Sequence, residues 1–184
     1  MPKPFLLVVT GRPGSGKTTL ARLLADLVYL PVISRDQLKE GYVRSMGRSH
    51  ADLPADTNAI VNGIFFDTLE SLIGSGVSVI AEAAFQHAIW AAGLSELQRA
   101  ARLSILICSV DDRIAYERFT RRKHNNPQRQ YFHGDSDAGF VNPGDAATLR
   151  PYMGPNLPVP TRRVDTSGEY SPSLQELAHE IFGV

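Results

Sequence analysis

The residues that most clearly could do chemistry form a glycine-rich run near the start of the chain. They fit the pattern G-x-x-x-x-G-K-[ST] at every fixed position, and they are Gly11, Arg12, Pro13, Gly14, Ser15, Gly16, Lys17 and Thr18. Glycines allow backbone N–H groups to surround a phosphate, and a helix start adds its positive dipole end. Lys17 is expected to bridge phosphates, and the Thr18 hydroxyl to bind Mg²⁺. We therefore expect a nucleoside triphosphate site that extends to Thr19; the alternative is a glycine turn that binds nothing.

Two carboxylates follow apolar runs further along the chain. Asp36 comes just after residues 32–34, and Glu82 ends the run over residues 77–81. A carboxylate at the carboxyl end of a parallel strand can accept a proton from an attacking hydroxyl, which is the role we expect for Asp36. Glu82 occupies the place of a Walker B acid, which contacts Mg²⁺ directly or through water. Glu82 could equally orient a substrate, and either acid could be purely structural.

A basic segment lies between Arg113 and Arg129, with six Lys or Arg residues and one acid. Arg118 and Arg122 are four residues apart, so they share one face of the predicted helix. The guanidinium group stacks on rings and binds phosphate oxygens in pairs, which suits both parts of a nucleotide. Arg121 could take the phosphate role instead of Arg122. A solvated basic helix face is the structural alternative.

The elements that must position these residues alternate along the chain as short apolar runs and segments of helical period. This order is typical of an α/β fold, a parallel sheet with crossover helices. The predicted strands are residues 5–10, 32–34, 77–81, 103–108 and 163–165. The predicted helices cover residues 17–28, 36–47, 57–73, 89–100 and 111–123, with a last helix from Pro172. We expect one domain over residues 1–184.

Residues 124–160 break this alternation and are rich in proline, glycine and aromatic residues. A loop this long in a compact domain is usually a functional lid or disordered. Together with the basic helix before it, the loop is predicted to form a lid and substrate-covering segment over about residues 113–160.

The chain of 184 residues has 19 basic and 19 acidic residues and a formal charge of zero. Neutrality argues against a broad nucleic-acid surface, although it hides a local charge of +5 over residues 113–129. The single cysteine, Cys108, lies in an apolar run and is expected to be buried, which favours a reducing, cytoplasmic setting. No apolar run has the length of a membrane span, so no membrane partner is expected.

The stretch GRPGSGKTTLARLLADLVYLPVISRDQLKEGY resembles the start of the P-loop kinases related to polynucleotide 5′-hydroxyl kinase, chloramphenicol phosphotransferase and zeta toxin. In that group, an AAA-type family of ATP-binding kinases, the second strand ends at an Arg-Asp pair whose Asp is the base, as in Arg35-Asp36. The resemblance implies a three-layer P-loop NTPase fold: a five-stranded parallel sheet of order 2-3-1-4-5, with helices on both faces. The resemblance also implies that Arg118 contacts the adenine ring and that Arg122 binds phosphates. It further implies that the loop at Thr166 lies beneath the adenine.

These observations lead to three hypotheses. The first is transfer of the γ-phosphate of ATP to a hydroxyl of a small molecule, with Asp36 as base and with Lys39, Glu82 and Phe85 as candidate acceptor contacts. The second is a polynucleotide 5′-hydroxyl kinase guided by the basic segment, although Lys39 stands where that pattern has arginine. The third is an ATP-binding regulatory module without an acceptor. Phe85 could instead pack in the core, and the sequence leaves the oligomeric state open.

Overall fold

The computed structural model describes residues 2–134 and 152–184. Its five strands form one parallel sheet in the order β2-β3-β1-β4-β5, so the fold and the strand order that the resemblance implies are confirmed. The strands are β1 (Phe5–Thr10), β2 (Val32–Ser34), β3 (Val79–Ala83), β4 (Arg102–Ser109) and β5 (Thr161–Asp165). The prediction for β3 was two residues too early, because Glu82 lies within the strand and not beyond its end.

Eight α-helices occur in the described residues. They are α1 (Lys17–Val28), α2 (Arg35–Met46), α3 (Thr57–Gly74), α4 (His87–Gly93), α5 (Leu97–Ala100), α6 (Asp112–Asn125), α7 (Arg129–His133) and α8 (Leu174–Phe182). The single helix predicted over residues 89–100 is wrong, since Gly93 and Ser95 are weak helix formers and the chain breaks there into α4 and α5. Within the described ranges, no helix combines the length and the apolar character that crossing a membrane requires.

The central strand shows why helices cover both faces of the sheet. Leu6 and Val8 of β1 belong to one apolar cluster, which α3 and α4 cover. Leu7 and Val9 point the other way, into a second cluster with α1 and α8. All four side chains are fully buried. Successive strand residues point to opposite faces, so an apolar run without alternation requires packing on both sides.

Cys108 lies in β4 and is 4% exposed, as its apolar run predicts. Burial raises the pKa of its thiol to about 12. The thiol is therefore protonated at neutral pH, and it acts as a small apolar side chain in the second cluster.

The strand order brings three functional segments to one edge of the sheet. Glu82 in β3 is opposite Val9 of β1 on one side and Ser34 of β2 on the other. The glycine-rich run follows β1 directly, and α2 follows β2 directly. Ligands of open parallel sheets bind at this carboxyl edge, so the fold places the predicted chemical groups where a ligand can reach them.

Candidate active site

The phosphate loop, residues 11–16, connects β1 to α1 and depends on backbone shapes that glycine allows. Gly14 has a φ of +79° and Gly16 a φ of +82°, both in the left-handed region. A Cβ atom on Gly14 would lie 2.1 Å from the carbonyl oxygen of Ala115 in α6. Gly14 therefore lets the loop approach the basic helix far more closely than any residue with a side chain could.

Glu82 connects the phosphate loop to the neighbouring strand. Its carboxylate accepts hydrogen bonds from Thr18 Oγ1, at 3.2 Å from Oε1, and from Ser34 Oγ, at 2.7 Å from Oε2. Lys17 Nζ lies 3.7 Å from Glu82 Oε1, and both side chains are almost fully buried. A buried carboxylate needs such a set of partners, because an unpaired charge away from water is costly.

The oxygens of Thr18 and Glu82 also fit a magnesium ion. They are the hard oxygen donors that Mg²⁺ prefers, and they lie beside the loop in which phosphates are expected. Across residues 2–134 and 152–184 there is no group of three His, Cys, Asp or Glu side chains that could hold a metal. Mg²⁺ usually takes one or two protein ligands and completes its shell with water and substrate phosphates, so Thr18 and Glu82 would be sufficient protein ligands for it.

Asp36 lies in the first turn of α2, beside the phosphate loop, and its side chain is 45% exposed. Burial acts to raise its pKa, but nearby positive groups outweigh that effect and hold the pKa below its usual value. The groups responsible, in decreasing order of effect, are Lys17, His133, Arg35 and Arg129. Asp36 is therefore ionised at neutral pH and can accept a proton or a hydrogen bond.

A cavity of about 170 Å³ lies in front of Asp36, and we call it the Asp36 cavity. Basic groups dominate its wall, with Asp36 as the single acid among the described lining residues. The lining residues are Pro13, Lys17, Arg35, Asp36, Lys39, Ala84, Phe119, Arg122, Arg129 and His133. The wall thus combines the phosphate loop with α2, α6 and α7.

A second cavity, of about 320 Å³, lies on the other side of the loop, and we call it the Thr166 cavity. Thr166 is buried, and its hydroxyl donates to the carbonyl oxygens of Ser15, at 2.6 Å, and Ser109, at 3.1 Å. The bond to Ser15 ties the segment after β5 to the phosphate loop. The lining residues are Gly14, Gly16, Thr19, Arg118, Arg121, Arg122, Thr166, Gly168 and Tyr170.

The arginines of α6 meet both cavities. Arg118 donates to the carbonyl oxygen of Ser167 at 3.0 Å, so it closes the Thr166 cavity from the side of the β5 loop. Arg121 lines the Thr166 cavity but not the Asp36 cavity, whereas Arg122 lines both cavities. Arg12 of the phosphate loop pairs with Asp112 at the start of the same helix. The structure thus brings the predicted basic residues together with the loop, and Arg122 stands between the two spaces.

Two predicted acceptor contacts have different surroundings. Lys39 lines the Asp36 cavity and is 3% exposed. Phe85 is 7% exposed and packs edge-on against Phe65 and Trp90 in the first apolar cluster. It does not line the Asp36 cavity, and its contacts agree with the alternative prediction that it packs in the core. The position of Phe85, three residues after Glu82, does not by itself predict whether the ring faces the core or the cavity.

Sequence reasoning missed several lining residues. The sequence analysis placed Arg35 only in a motif, Arg129 only in a charge run and His133 only in the predicted lid, and it did not predict a role for Tyr170. The signal for His133 is tertiary: its Nε2 pairs with Glu40 of α2 at 2.9 Å, which brings α7 against α2. The predicted lid is described only in part, because residues 135–151 lie outside the described residues.

Tyr152, within the predicted lid segment, contacts the strand that precedes the phosphate loop. The Tyr152 hydroxyl lies 2.5 Å from Thr10 Oγ1, which also accepts a hydrogen bond from the Trp90 indole at 3.0 Å. Burial raises the pKa of Tyr152 to about 12, so the phenol stays protonated. Tyr152 therefore attaches this part of the predicted lid segment to the end of β1, directly before the phosphate loop.

Comparison with known proteins agrees with this architecture. A family model described as an AAA domain matches residues 6–136, more than half of the 184 residues. The chain belongs to this AAA domain family. No curated protein matches the sequence significantly.

Solved structures share the fold of this AAA domain chain. A protein of Chloroflexus aurantiacus provisionally described as a kinase has a TM-score of 0.81 at 24% identity, with 97% of each chain covered. The APS kinase of Mycobacterium tuberculosis, in complex with AMPPNP and APS, has a TM-score of 0.63 at 20% identity and covers 100% of this chain and 98% of its own. A gluconokinase of Sinorhizobium meliloti has a TM-score of 0.56 at 18% identity, over 100% and 92%. At these identities the similarity shows a shared fold.

The contact between the loop and α6 in this AAA domain chain can be tested by replacing Gly14. We expect Gly14→Ala to be strongly destabilising, because a left-handed alanine costs about 1–2 kcal/mol and the new Cβ also meets the Ala115 carbonyl. Gly47→Ala is the matched control, since Gly47 has a φ of +64° and open space around it. Urea denaturation should show a loss of unfolding free energy for Gly14→Ala that exceeds the control by about 1–3 kcal/mol. Equal losses would contradict the close packing.

Proposed function

We propose that this protein is a kinase that transfers the γ-phosphate of ATP to a hydroxyl group of a small molecule. One observation carries the proposal: Asp36, Lys17 and Arg122 line one cavity, although they come from three separate elements. A proton acceptor beside a phosphate-loop lysine and an arginine is the set of groups that phosphoryl transfer to a hydroxyl requires. The resemblance to the polynucleotide kinase, chloramphenicol phosphotransferase and zeta toxin group supports the same reaction class.

The donor would occupy the phosphate loop and the Thr166 cavity. The loop N–H groups and Lys17 would hold the β- and γ-phosphates. The adenine would lie in the Thr166 cavity against Arg118, whose position is fixed by its hydrogen bond to Ser167. Thr18 and Glu82 would hold Mg²⁺, which when bound neutralises charge on the β- and γ-phosphate oxygens.

The transfer itself would take place at the boundary of the two cavities. Asp36 accepts the proton of the acceptor hydroxyl while the oxygen of that hydroxyl forms a bond to the γ-phosphorus. The bond between that phosphorus and the bridging oxygen breaks, and ADP leaves with the electron pair. Lys17 and Arg122 stabilise the charge on the moving phosphoryl group, and Arg122 is better placed than Arg121 because it lines both cavities.

A polynucleotide 5′-hydroxyl is the second candidate acceptor. The observation that favours it is the cluster of basic side chains on α6 and α7 around the Asp36 cavity, which could contact a strand backbone. Labelling of an oligonucleotide from radioactive ATP separates the two kinase hypotheses. A regulatory module would bind ATP and form no phosphate ester with any acceptor.

The role of Asp36 is tested by Asp36→Asn, which preserves shape and removes the proton acceptor. We expect transfer to fall by about 10²–10⁴-fold while ATP binding changes little, because Asp36 lies outside the Thr166 cavity. Transfer is measured as phosphate ester formed from labelled ATP with a metabolite mixture as acceptor, and binding by calorimetry with AMPPNP. Asp26→Asn, on the exposed surface of α1, is the matched control. Full transfer activity in Asp36→Asn would rule out the base.

The lowered pKa of Asp36 gives a separate prediction for the free protein. A carboxylate whose pKa lies below the usual value of about 3.9 should show no change as the pH falls from 7 to about 5. Arg35→Gln removes one of the positive neighbours, so it should raise the Asp36 pKa toward its usual value. Carboxyl ¹³C NMR measures the Asp36 pKa in the unmodified protein and in Arg35→Gln. The Asp36 signal is assigned by its loss in Asp36→Asn. A titration above the usual aspartate range in the unmodified protein would contradict the electrostatic account.

A further inference from the structure

The Thr10 hydroxyl, at the end of β1, has three hydrogen-bond partners. It lies 2.7 Å from the carbonyl oxygen of Ala83, 3.0 Å from the indole nitrogen of Trp90 and 2.5 Å from the Tyr152 hydroxyl. A threonine hydroxyl has one proton to donate and two lone pairs that accept. The Ala83 carbonyl can only accept and the Trp90 N–H can only donate, so the Thr10 proton goes to Ala83. The Tyr152 hydroxyl must therefore be a donor to Thr10.

The Tyr152 hydroxyl has a second partner at the first residue of the phosphate loop. Burial raises the pKa of the phenol, and a hydrogen bond with the backbone of Gly11 acts in the opposite direction. Because the Tyr152 proton goes to Thr10, the Gly11 N–H is the donor in this bond. Tyr152 thus joins the side chain of the last strand residue to the backbone of the first loop residue.

Gly11 packs closely against its neighbours. A Cβ atom at this position would lie 2.5 Å from Ser15 Oγ and 2.9 Å from the carbonyl oxygen of Cys108. The glycine is therefore in contact both with the phosphate loop and with β4. Since backbone N–H groups of the loop are expected to surround the phosphates, a displacement of Gly11 would alter how the loop binds them.

The chain that follows Tyr152 is itself attached to the protein. Met153 donates its N–H to Gln86 Oε1 at 2.8 Å and accepts from the His87 N–H at 2.7 Å. Asn156 donates its N–H to His87 Nδ1 at 3.1 Å. These bonds fix the backbone beside Tyr152 to the start of α4. The phenol therefore approaches the loop from a well-supported position.

We propose that Tyr152 is a positioning residue for the nucleotide: its hydroxyl fixes the Thr10 side chain and the Gly11 backbone, and through them the start of the phosphate loop. The inference rests on the proposed kinase function and adds to it a residue that lines neither cavity. Thr10 also bonds to Ala83, the residue after Glu82. The effect of Tyr152 thus reaches both the loop and the strand end that carries the proposed magnesium ligand.

The role can be tested by removing the hydroxyl with little change in shape. Tyr152→Phe should weaken AMPPNP binding by about 2- to 10-fold, which is the usual contribution of one hydrogen bond between neutral groups. Tyr29→Phe is the matched control, because Tyr29 is 92% exposed, and it should bind AMPPNP as the unmodified protein does. Calorimetry with AMPPNP and Mg²⁺ measures the three affinities. Circular dichroism checks that each variant folds, and a purely structural role would leave the affinity of the folded protein unchanged.

Two variants of Thr10 test the path of the effect. Thr10→Ser keeps the hydroxyl and should bind AMPPNP as the unmodified protein does. Thr10→Val removes it and should weaken binding at least as much as Tyr152→Phe, since the Trp90 indole loses its acceptor as well. In the Thr10→Val background, Tyr152→Phe should reduce the affinity less than it does alone, because the two residues share one bond.

Trp90 provides a spectroscopic reporter of the same bond. It is the only tryptophan of the chain, so its indole N–H gives a single NMR signal. The acceptor of that N–H is the Thr10 hydroxyl, which also accepts from Tyr152. The indole signal should therefore shift in Tyr152→Phe and stay in place in Tyr29→Phe.

The outcomes separate this inference from the function on which it rests. A folded Tyr152→Phe with full AMPPNP affinity overturns the positioning role and leaves the kinase function standing, and so does an equal loss in Tyr29→Phe. If Tyr152→Phe does not fold, equal AMPPNP affinities in Thr10→Ser and Thr10→Val overturn the role. Absence of AMPPNP binding by the unmodified protein contradicts the proposed kinase function itself, and the inference fails with it.

Discussion

The buried carboxylate of Glu82 is the interaction on which the rest of the site depends. It joins the end of β2, through Ser34, to the first two residues of α1, through Lys17 and Thr18. This is possible because β3 lies between β1 and β2 in the sheet, so that Glu82 is flanked by both neighbours. Without that strand order, the phosphate-loop lysine would lose the buried carboxylate that lies 3.7 Å from its ammonium group.

The phosphate loop divides the space above the sheet into two unequal parts. The Thr166 cavity is formed by the loop, α6 and the segment after β5, and we propose that it binds the donor. The Asp36 cavity is lined by the loop together with α2, α6 and α7, and we propose that it binds the acceptor. Arg122 borders both, which is the position in which a positive group contributes most to stabilising charge on a phosphoryl group in transit.

The close packing of α6 on the loop explains how these two parts are held together. Gly14 lies against the Ala115 carbonyl, Arg12 pairs with Asp112, and Thr166 binds the Ser15 carbonyl. Two of these contacts join the loop to α6, and the third joins it to the segment after β5. Close backbone contact of the loop with α6 therefore brings the arginines of that helix to the wall of the Thr166 cavity.

The local features of this site were predictable from sequence, and the tertiary ones were not. The pattern over residues 11–18 and the strands around it follow from spacing and apolar runs, which are local properties. The direction of the Phe85 side chain, by contrast, depends on how the aromatic cluster packs. The sequence did not reveal how Arg35 is oriented, because the residues that accept its hydrogen bonds, Asn58 and Asn62, lie in α3, more than twenty residues away.

We propose that Glu82 links the phosphate loop to a nucleotide-bound magnesium ion. Glu82→Gln tests it, because glutamine keeps the size and the acceptor oxygen and removes the charge. The measurement is the affinity for AMPPNP, by calorimetry, as a function of Mg²⁺ concentration, with the exposed Glu70→Gln as control. We expect Mg²⁺ to tighten AMPPNP binding in the unmodified protein and in the control, and Glu82→Gln to lose about 10- to 100-fold of that effect. The same Mg²⁺ dependence in all three proteins would contradict the account.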